Sequence, residues 1–199
     1  MDRKIERRAF PINEVRVDRT DGASIRIGGY AAVFGSESVD LGGFTERIAQ
    51  GAFAGSLSRD VVALVNHNPD KPLARTTSGT LKLAEDERGL AFEATLADTT
   101  HARDVVADIE AGNIKGMSFG FRTLRDAWAK VGPAKWLRTL LDVELFDVSP
   151  VTYPAYPSTE VGLRAADGAA EAQAGLAKAK AEDEARERRL RLLERETRA

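Results

Sequence analysis

The sequence has no cysteine and only two histidines among its 199 residues. Without thiols there can be no disulfide scaffold, no thiolate zinc or iron–sulfur site and no cysteine nucleophile. Two histidines are too few for a His-rich metal centre, and the carboxylates show neither EF-hand spacing nor a His-bearing metal motif, so no metal or cofactor is expected. A dominant charge is missing as well. The 29 Lys and Arg stand against 31 Asp and Glu, a formal net charge of −2, which gives no general attraction to nucleic acid or to an anionic membrane. No apolar run approaches the roughly 18 residues needed to cross a bilayer, and the opening MDRKIERRAF lacks the apolar segment of a secretory signal. These absences describe a cytosolic protein of one domain plus an appendage. Any chemistry that needs an imidazole must use His67 or His101.

What is present divides into three zones. Residues 1–21 form a charged N-terminal arm around a short strand expected over 10–17, whose charges are expected to face solvent at a sheet edge. Residues 22–164 hold nearly all the aromatics and every proline except Pro11, so the globular domain lies here. From Ala165 the chain turns to Ala, Glu, Lys and Arg, with two Lys and six Arg balancing six Glu and two Asp. Helix formers dominate this tail, but its apolar positions (Leu176, Leu190, Leu192, Leu193) sustain no heptad. A solvated helix or disorder fits it, and so does a helix that binds a partner or scaffold.

Inside the central zone the prevailing period is two. Strands are expected over 24–34, 61–66, 80–84, 90–96, 114–123 and 137–148, with 80–84 and 90–96 joined as a hairpin by Glu85-Asp86-Glu87-Arg88-Gly89. Asp98-Thr99-Thr100 offers an N-cap to a helix ending near Ala111, with Val105, Val106 and Ile109 on one face and Gly112 as the stop. Residues 46–58 suggest a short helix, and a Trp-containing connection with Gly132-Pro133 separates the last two strands. The expected fold class is therefore mostly β with attached helices (α+β), arranged as a barrel or a sandwich.

The sharpest local string is Gly116-Met117-Ser118-Phe119-Gly120, a G-x-S-x-G match. It is short enough to arise by chance, and a serine with a satisfied hydroxyl fits it as well as a nucleophile does. In a strand Ser118 points away from Met117, Phe119 and Phe121. Its same-face neighbours Gly116 and Gly120 carry no side chains, which would let a substrate backbone come close. No histidine follows Ser118, so the Ser–acid–His order of an α/β-hydrolase cannot be completed. His67 follows the apolar run 61–65 and precedes a Pro-containing loop, a rigid mount for a base or for a structural histidine. His101 falls in the first turn of the expected helix and suits a surface or capping role. A base needs a carboxylate behind it. Asp142, Glu144 and Asp147 are available, and strict alternation puts Asp147 on the face of Leu141, Val143 and Leu145, which favours it.

Further strings occur in a fixed order: Gly29-Tyr30-Ala31-Ala32-Val33-Phe34; Leu41-Gly42-Gly43-Phe44-Thr45-Glu46-Arg47-Ile48 with Gly51-Ala52-Phe53; the run ending at His67; Ser78-Gly79-Thr80-Leu81 with Asp86 and Gly89-Leu90; the Ser118 string; and Asp147-Val148-Ser149 leading to Val151-Thr152-Tyr153-Pro154-Ala155. Across residues 22–164 this series resembles the prohead (capsid maturation) serine proteases of tailed phages. The resemblance implies a serine endopeptidase with a herpesvirus-assemblin-like fold, a compact β-barrel surrounded by helices. It places the nucleophile on Ser118, the histidine on His67 and the acid on Asp147, with Glu144 in reserve. Oxyanion or substrate contacts fall near Phe119, Gly120 and Gly116. The implied substrates are the major capsid protein, scaffold segments and the protease itself, cut inside the immature shell in the host bacterial cytoplasm. No nucleic acid or membrane partner is implied, and a homo-oligomer is compatible with the resemblance. The tail then becomes a targeting or scaffold-contact segment, or a piece removed by self-cleavage. Two alternatives remain at this point: a non-catalytic assembly or scaffold protein sharing the fold, and a small serine esterase.

Overall fold

Period-two patterning fixes most of the architecture. The computed structural model describes residues 5–11, 15–19, 25–153 and 169–196. The strands are β1 (Glu6–Pro11), β2 (Arg16–Arg19), β3 (Ile25–Val33), β4 (Phe44–Ile48), β5 (Val62–Val65), β6 (Asn68–Arg75), β7 (Leu81–Glu85), β8 (Gly89–Thr95), β9 (Gly116–Lys130) and β10 (Trp136–Val151). Helix α1 (Thr100–Glu110) follows β8, and α2 (Ala169–Glu196) follows β10. Ser24, residues 12–14 within the strand expected over 10–17, Pro154-Ala155 and the first four residues of the tail lie outside the described residues.

The strands form two sheets, one in the order β1-β9-β10-β5-β6 with β4 also paired to β10, the other β2-β3-β8-β7. The compact closed barrel implied by the resemblance is not formed among the described residues. The two sheets instead bury a shared core, with Ile27, Leu81, Leu90 and Phe92 from the smaller sheet packed in one cluster with Ile48, Ala63, Phe119, Phe121, Leu145 and Val148 from the larger. Phe53 reaches into this core, and its ring meets Phe119 edge-on at 5.3 Å. Helix α1 adds Val105 and Val106 to the same cluster. Its N-cap is Thr99, whose side chain accepts from the Ala102 N–H, and Gly112 beyond its end sits at φ +72°, a left-handed stop that glycine adopts without steric cost.

Four expectations are corrected. Residues 10–17 are not one strand, because β1 ends at Pro11 and β2 begins at Arg16 in the other sheet. Residues 46–58 do not form a helix. Phe44–Ile48 instead pairs in parallel with the first half of β10, burying Phe44 and Ile48, and only Ala54–Ser56 makes a single 3-10 turn. The stretch after His67 is a strand and not a loop. Its Pro69 and Pro72 are tolerated because β6 is at the sheet edge, where missing donors cost little. Finally, β9 and β10 form one long antiparallel ribbon that takes in Trp128 and Trp136, so the connection is only the short turn through Gly132-Pro133.

Arg16, Asp18 and Arg19 of the arm face solvent, but two of its charges, on β1, face inward. Glu6 and Arg8 are buried with Glu46 and Arg138. Arg8 Nε donates to Glu46 at 2.7 Å and Arg8 Nη2 to Glu6 at 2.8 Å, while Arg138 Nη1 donates to Glu6 at 2.7 Å and Glu46 at 2.9 Å. Burial pushes the Glu6 carboxyl up, but the Arg138 hydrogen bond and the two guanidinium charges outweigh it and hold the group below its ordinary value. Two cations and two carboxylates thus tie β1 to β4 and β10, and Thr123 Oγ1 donates to Glu6 from β9, the strand that carries Ser118.

The tail is helical and partly docked. Ala172 and Leu176, one turn apart, are buried against Phe44 and Trp136, with Trp128 and Ala179 beside them. Lys130 Nζ adds an ion pair to Asp183 at 2.8 Å. Farther along, Leu190 and Leu193 are exposed, so the solvated-helix expectation describes only the distal half.

Candidate active site

Ser118 lies near the start of β9, where the strand is paired to β1 on one edge and β10 on the other. Met117, Phe119 and Phe121 are fully buried on the core face, so alternation turns Ser118 to the opposite face. Residues directly opposite in antiparallel strands share a face. Ser118 is opposite Ser149, Gly120 is opposite Asp147 and Phe121 is opposite Leu145. Gly120 and Phe121 are consecutive and point to opposite faces. Leu145 and Asp147 must therefore do so too, although they are two residues apart. A register shift between Leu145 and Asp147 accounts for this: the strand carries one extra residue there, as in a β-bulge. Strict alternation would put Asp147 on the face of Val143 and Leu145, the ground on which its sequence favours it. The bulge breaks that alternation and delivers Asp147 to the face of Ser118.

His67 reaches the same place by a different local device. β5 and β6 are joined by a two-residue turn, Asn66-His67, with Val65 opposite Asn68. Both turn residues have positive φ, 51° and 56°, the pattern of a type I′ hairpin, whose twist matches that of its strands. Asn and His tolerate this region better than most side chains. β5 runs parallel to β10 with Val62 beside Asp147. The turn is tied to the end of β10 by Asn66 N–H to Pro150 O at 3.0 Å and by Thr152 N–H to Asn66 Oδ1 at 3.1 Å.

The three side chains meet in a line. His67 Nε2 lies 2.6 Å from Ser118 Oγ, and His67 Nδ1 lies 2.5 Å from Asp147 Oδ1. With the proton on Nδ1, the imidazole donates to the carboxylate and Nε2 accepts from the serine hydroxyl. The set is largely desolvated: Ser118 is 3 % exposed, and the His67 and Asp147 side chains 11 % and 13 %. Ser149 Oγ also donates to Asp147 Oδ1, at 2.7 Å. The reserve carboxylate Glu144 is committed elsewhere, to Arg122 at 2.9 Å and to Arg59. His101 is remote in role, its Nε2 bonded to Pro72 O at 2.7 Å and to Thr99 Oγ1 at 3.2 Å.

The glycines of the motif have a different use from the one expected. A Cβ on Gly120 would stand 2.2 Å from Asp147 Oδ2 and 3.2 Å from its Cγ, so the space above Gly120 houses the acid rather than a substrate backbone. Phe119 and Gly120 sit in a strand paired on both edges, and their N–H groups lie in the sheet plane toward β1 and β10. Gly116 begins the strand opposite Pro11 and Val151. Ser149 stands in the Asp147-Val148-Ser149 string with no role assigned from sequence, although its period-two spacing from Asp147 is visible there. Among the described residues no group of three or more His, Cys, Asp or Glu could hold a metal ion, and no helix is long and apolar enough to cross a membrane.

The chain is 29% identical over 154 residues to the prohead protease of Enterobacteria phage HK97, an alignment that takes in 74% of this chain and 64% of the relative. It thus spans just under two thirds of that protein's length. The solved capsid assembly protease of bacteriophage T4 superposes with a TM-score of 0.47 at 9% identity, over 74% of this chain and 97% of the other. The model of one family matches residues 12–173, from just ahead of β2 into the first turns of α2, and on that match the chain belongs to the caudovirus prohead serine proteases.

Proposed function

We propose that this chain is a serine endopeptidase of prohead maturation, with Ser118 as nucleophile, His67 as general base and acid, and Asp147 as the orienting carboxylate. The observation that carries the reading is the continuous hydrogen-bond line from Asp147 through His67 to Ser118. His67 Nε2 takes the hydroxyl proton as Ser118 Oγ attacks a scissile carbonyl. Asp147 stabilises the imidazolium that forms and holds the Nδ1–H tautomer. The imidazolium then protonates the leaving amine, the acyl-enzyme remains on Ser118, and a water activated by His67 releases it. The dry setting supports this chemistry, because charge interactions are stronger where water is excluded.

The substrates in this reading are the major capsid protein, scaffold segments and the chain itself, cut within the immature shell in the host cytoplasm. Family membership and the HK97 relative's printed identity as a prohead protease support that assignment. Co-expression with the cognate major capsid protein tests it. The expected result is a shortened capsid protein with the wild type and full-length capsid protein with Ser118→Ala or His67→Ala, while His101→Ala leaves processing intact. Equal absence of processing with the wild type and Ser118→Ala would support the non-catalytic assembly alternative instead.

A further inference from the structure

We propose that Ser149 is a positioning residue of this site, fixing both the acid and the histidine mount through one buried hydroxyl. The inference rests on the protease reading above. Ser149 is 0 % exposed and lies directly opposite Ser118 across β9 and β10, on the face that carries Asp147. Its hydroxyl makes two bonds of opposite sense: Oγ–H donates to Asp147 Oδ1 at 2.7 Å, and Oγ accepts the backbone N–H of His67 at 3.3 Å. Asp147 Oδ1 also receives His67 Nδ1–H. The three bonds close a ring: His67 N–H to Ser149 Oγ, Ser149 O–H to Asp147 Oδ1, and Oδ1 to the imidazole of the same His67.

Two needs are met at once. His67 is the second central residue of a two-residue turn, so its amide has no ladder partner in the hairpin, and a buried N–H without a partner is costly. A side-chain carboxylate has two rotatable torsions, and one hydrogen bond from the imidazole does not fix both. The second donor, mounted on the same strand two residues away, holds Oδ1 against the imidazole Nδ1. Ser149 touches neither Ser118 Oγ nor the space above it in the hydrogen bonds of the structure, so its effect passes through Asp147 and His67.

A fluorophosphonate probe tests this without knowledge of the cleavage site. Ser118 Oγ attacks phosphorus, the P–F bond breaks, fluoride leaves and the hydroxyl proton passes to His67. Labelling rates are measured against pH for the full-length wild type, Ser149→Ala, Asp147→Ala and the double variant. Ser149→Ala is expected to label about tenfold to a hundredfold more slowly, the usual loss when a supporting hydrogen bond is removed from a site. Its acid limb should move to higher pH by about half a unit, because a carboxylate relieved of the serine donor favours the imidazolium more strongly. In the Asp147→Ala background the same substitution should cost little, since the two act as one unit. A rate within about threefold of wild type, an unmoved acid limb, or an equal loss in the Asp147→Ala background each overturns the assignment while leaving the protease reading intact. Failure of the wild type to label at Ser118 overturns the protease reading itself, and the inference with it.

Discussion

The most discriminating substitution at this site is the smallest one, Gly120→Ala. The added Cβ would lie 2.2 Å from Asp147 Oδ2, whereas heavy atoms rest about 3.5 Å apart at optimal contact, so the carboxylate must retreat by about 1 Å. Gly120 carries no positive φ, so alanine strains nothing in the backbone and the whole perturbation falls on the acid. A displacement of that size in a group aligning the base is worth about 10²-fold in rate. The overpacking itself should cost about 1–3 kcal/mol of stability, which leaves a domain of ordinary stability folded. The assay is fluorophosphonate labelling beside thermal melting. Gly120→Ala should melt cooperatively, somewhat below wild type, and label about a hundredfold more slowly. Asp147→Ala removes the obstacle, so adding Gly120→Ala to it should slow labelling little further. If Gly120→Ala labels at the wild-type rate, or slows labelling equally with and without Asp147, the glycine is not there to house the acid and the reasoning fails.

Three further outcomes follow from the buried charges and the docked helix. Glu6 is held below its ordinary value near 4.5 in the folded state, so its contribution is complete above that pH and is lost as pH falls through the lowered value. Urea midpoints should decline below about pH 4.5, and Glu6→Gln should flatten that decline; an equally steep decline in the variant would remove the buried network as its source. Arg138→Met leaves Glu6 and Glu46 short of a partner in a dry site and should cost about 3–5 kcal/mol in equilibrium unfolding, a figure refuted by a midpoint within error of wild type. Leu176→Asp should free α2 from Phe44 and Trp136 without unfolding the sheets, seen as rapid amide exchange confined to the helix and a red shift in tryptophan emission. Uniform loss of protection across β9 and β10 would mean that the helix is integral to the fold.

Regular alternation was legible wherever one face of a strand meets the core. The β7–β8 hairpin, the α1 cap at Thr99 and the burial of Met117, Phe119 and Phe121 all follow from residue spacing and local hydrogen bonding. What the spacing could not show was partnership across the chain. β4 reads as the start of a helix because its strand character comes from the parallel neighbour β10, almost a hundred residues away. β6 reads as a loop because Pro69 and Pro72 are barred from an interior strand, and only its edge position excuses them. Nothing local marks Glu6 and Arg8 as buried, because each finds its opposite charge on a strand distant in sequence or across the same cluster.

The candidate site depends on the places where regular patterns stop. Asp147 belongs to an alternation that the bulge interrupts, and without the extra residue near Phe146 the carboxylate would point into the core with Leu145 and Val143. His67 would follow the β5 direction but for a turn that needs two consecutive positive φ values. The turn leaves the His67 amide outside the ladder, where Ser149 of β10 accepts it, while Asn66 of the turn accepts the Thr152 N–H just beyond the end of β10. Strands β5, β9 and β10 supply a rigid frame, and a regular sheet cannot by itself aim residues at positions 67, 118 and 147 at one point. The bulge and the tight turn aim them, which makes the two hydrogen bonds of the line sensitive to changes such as Gly120→Ala and Ser149→Ala that leave the frame standing.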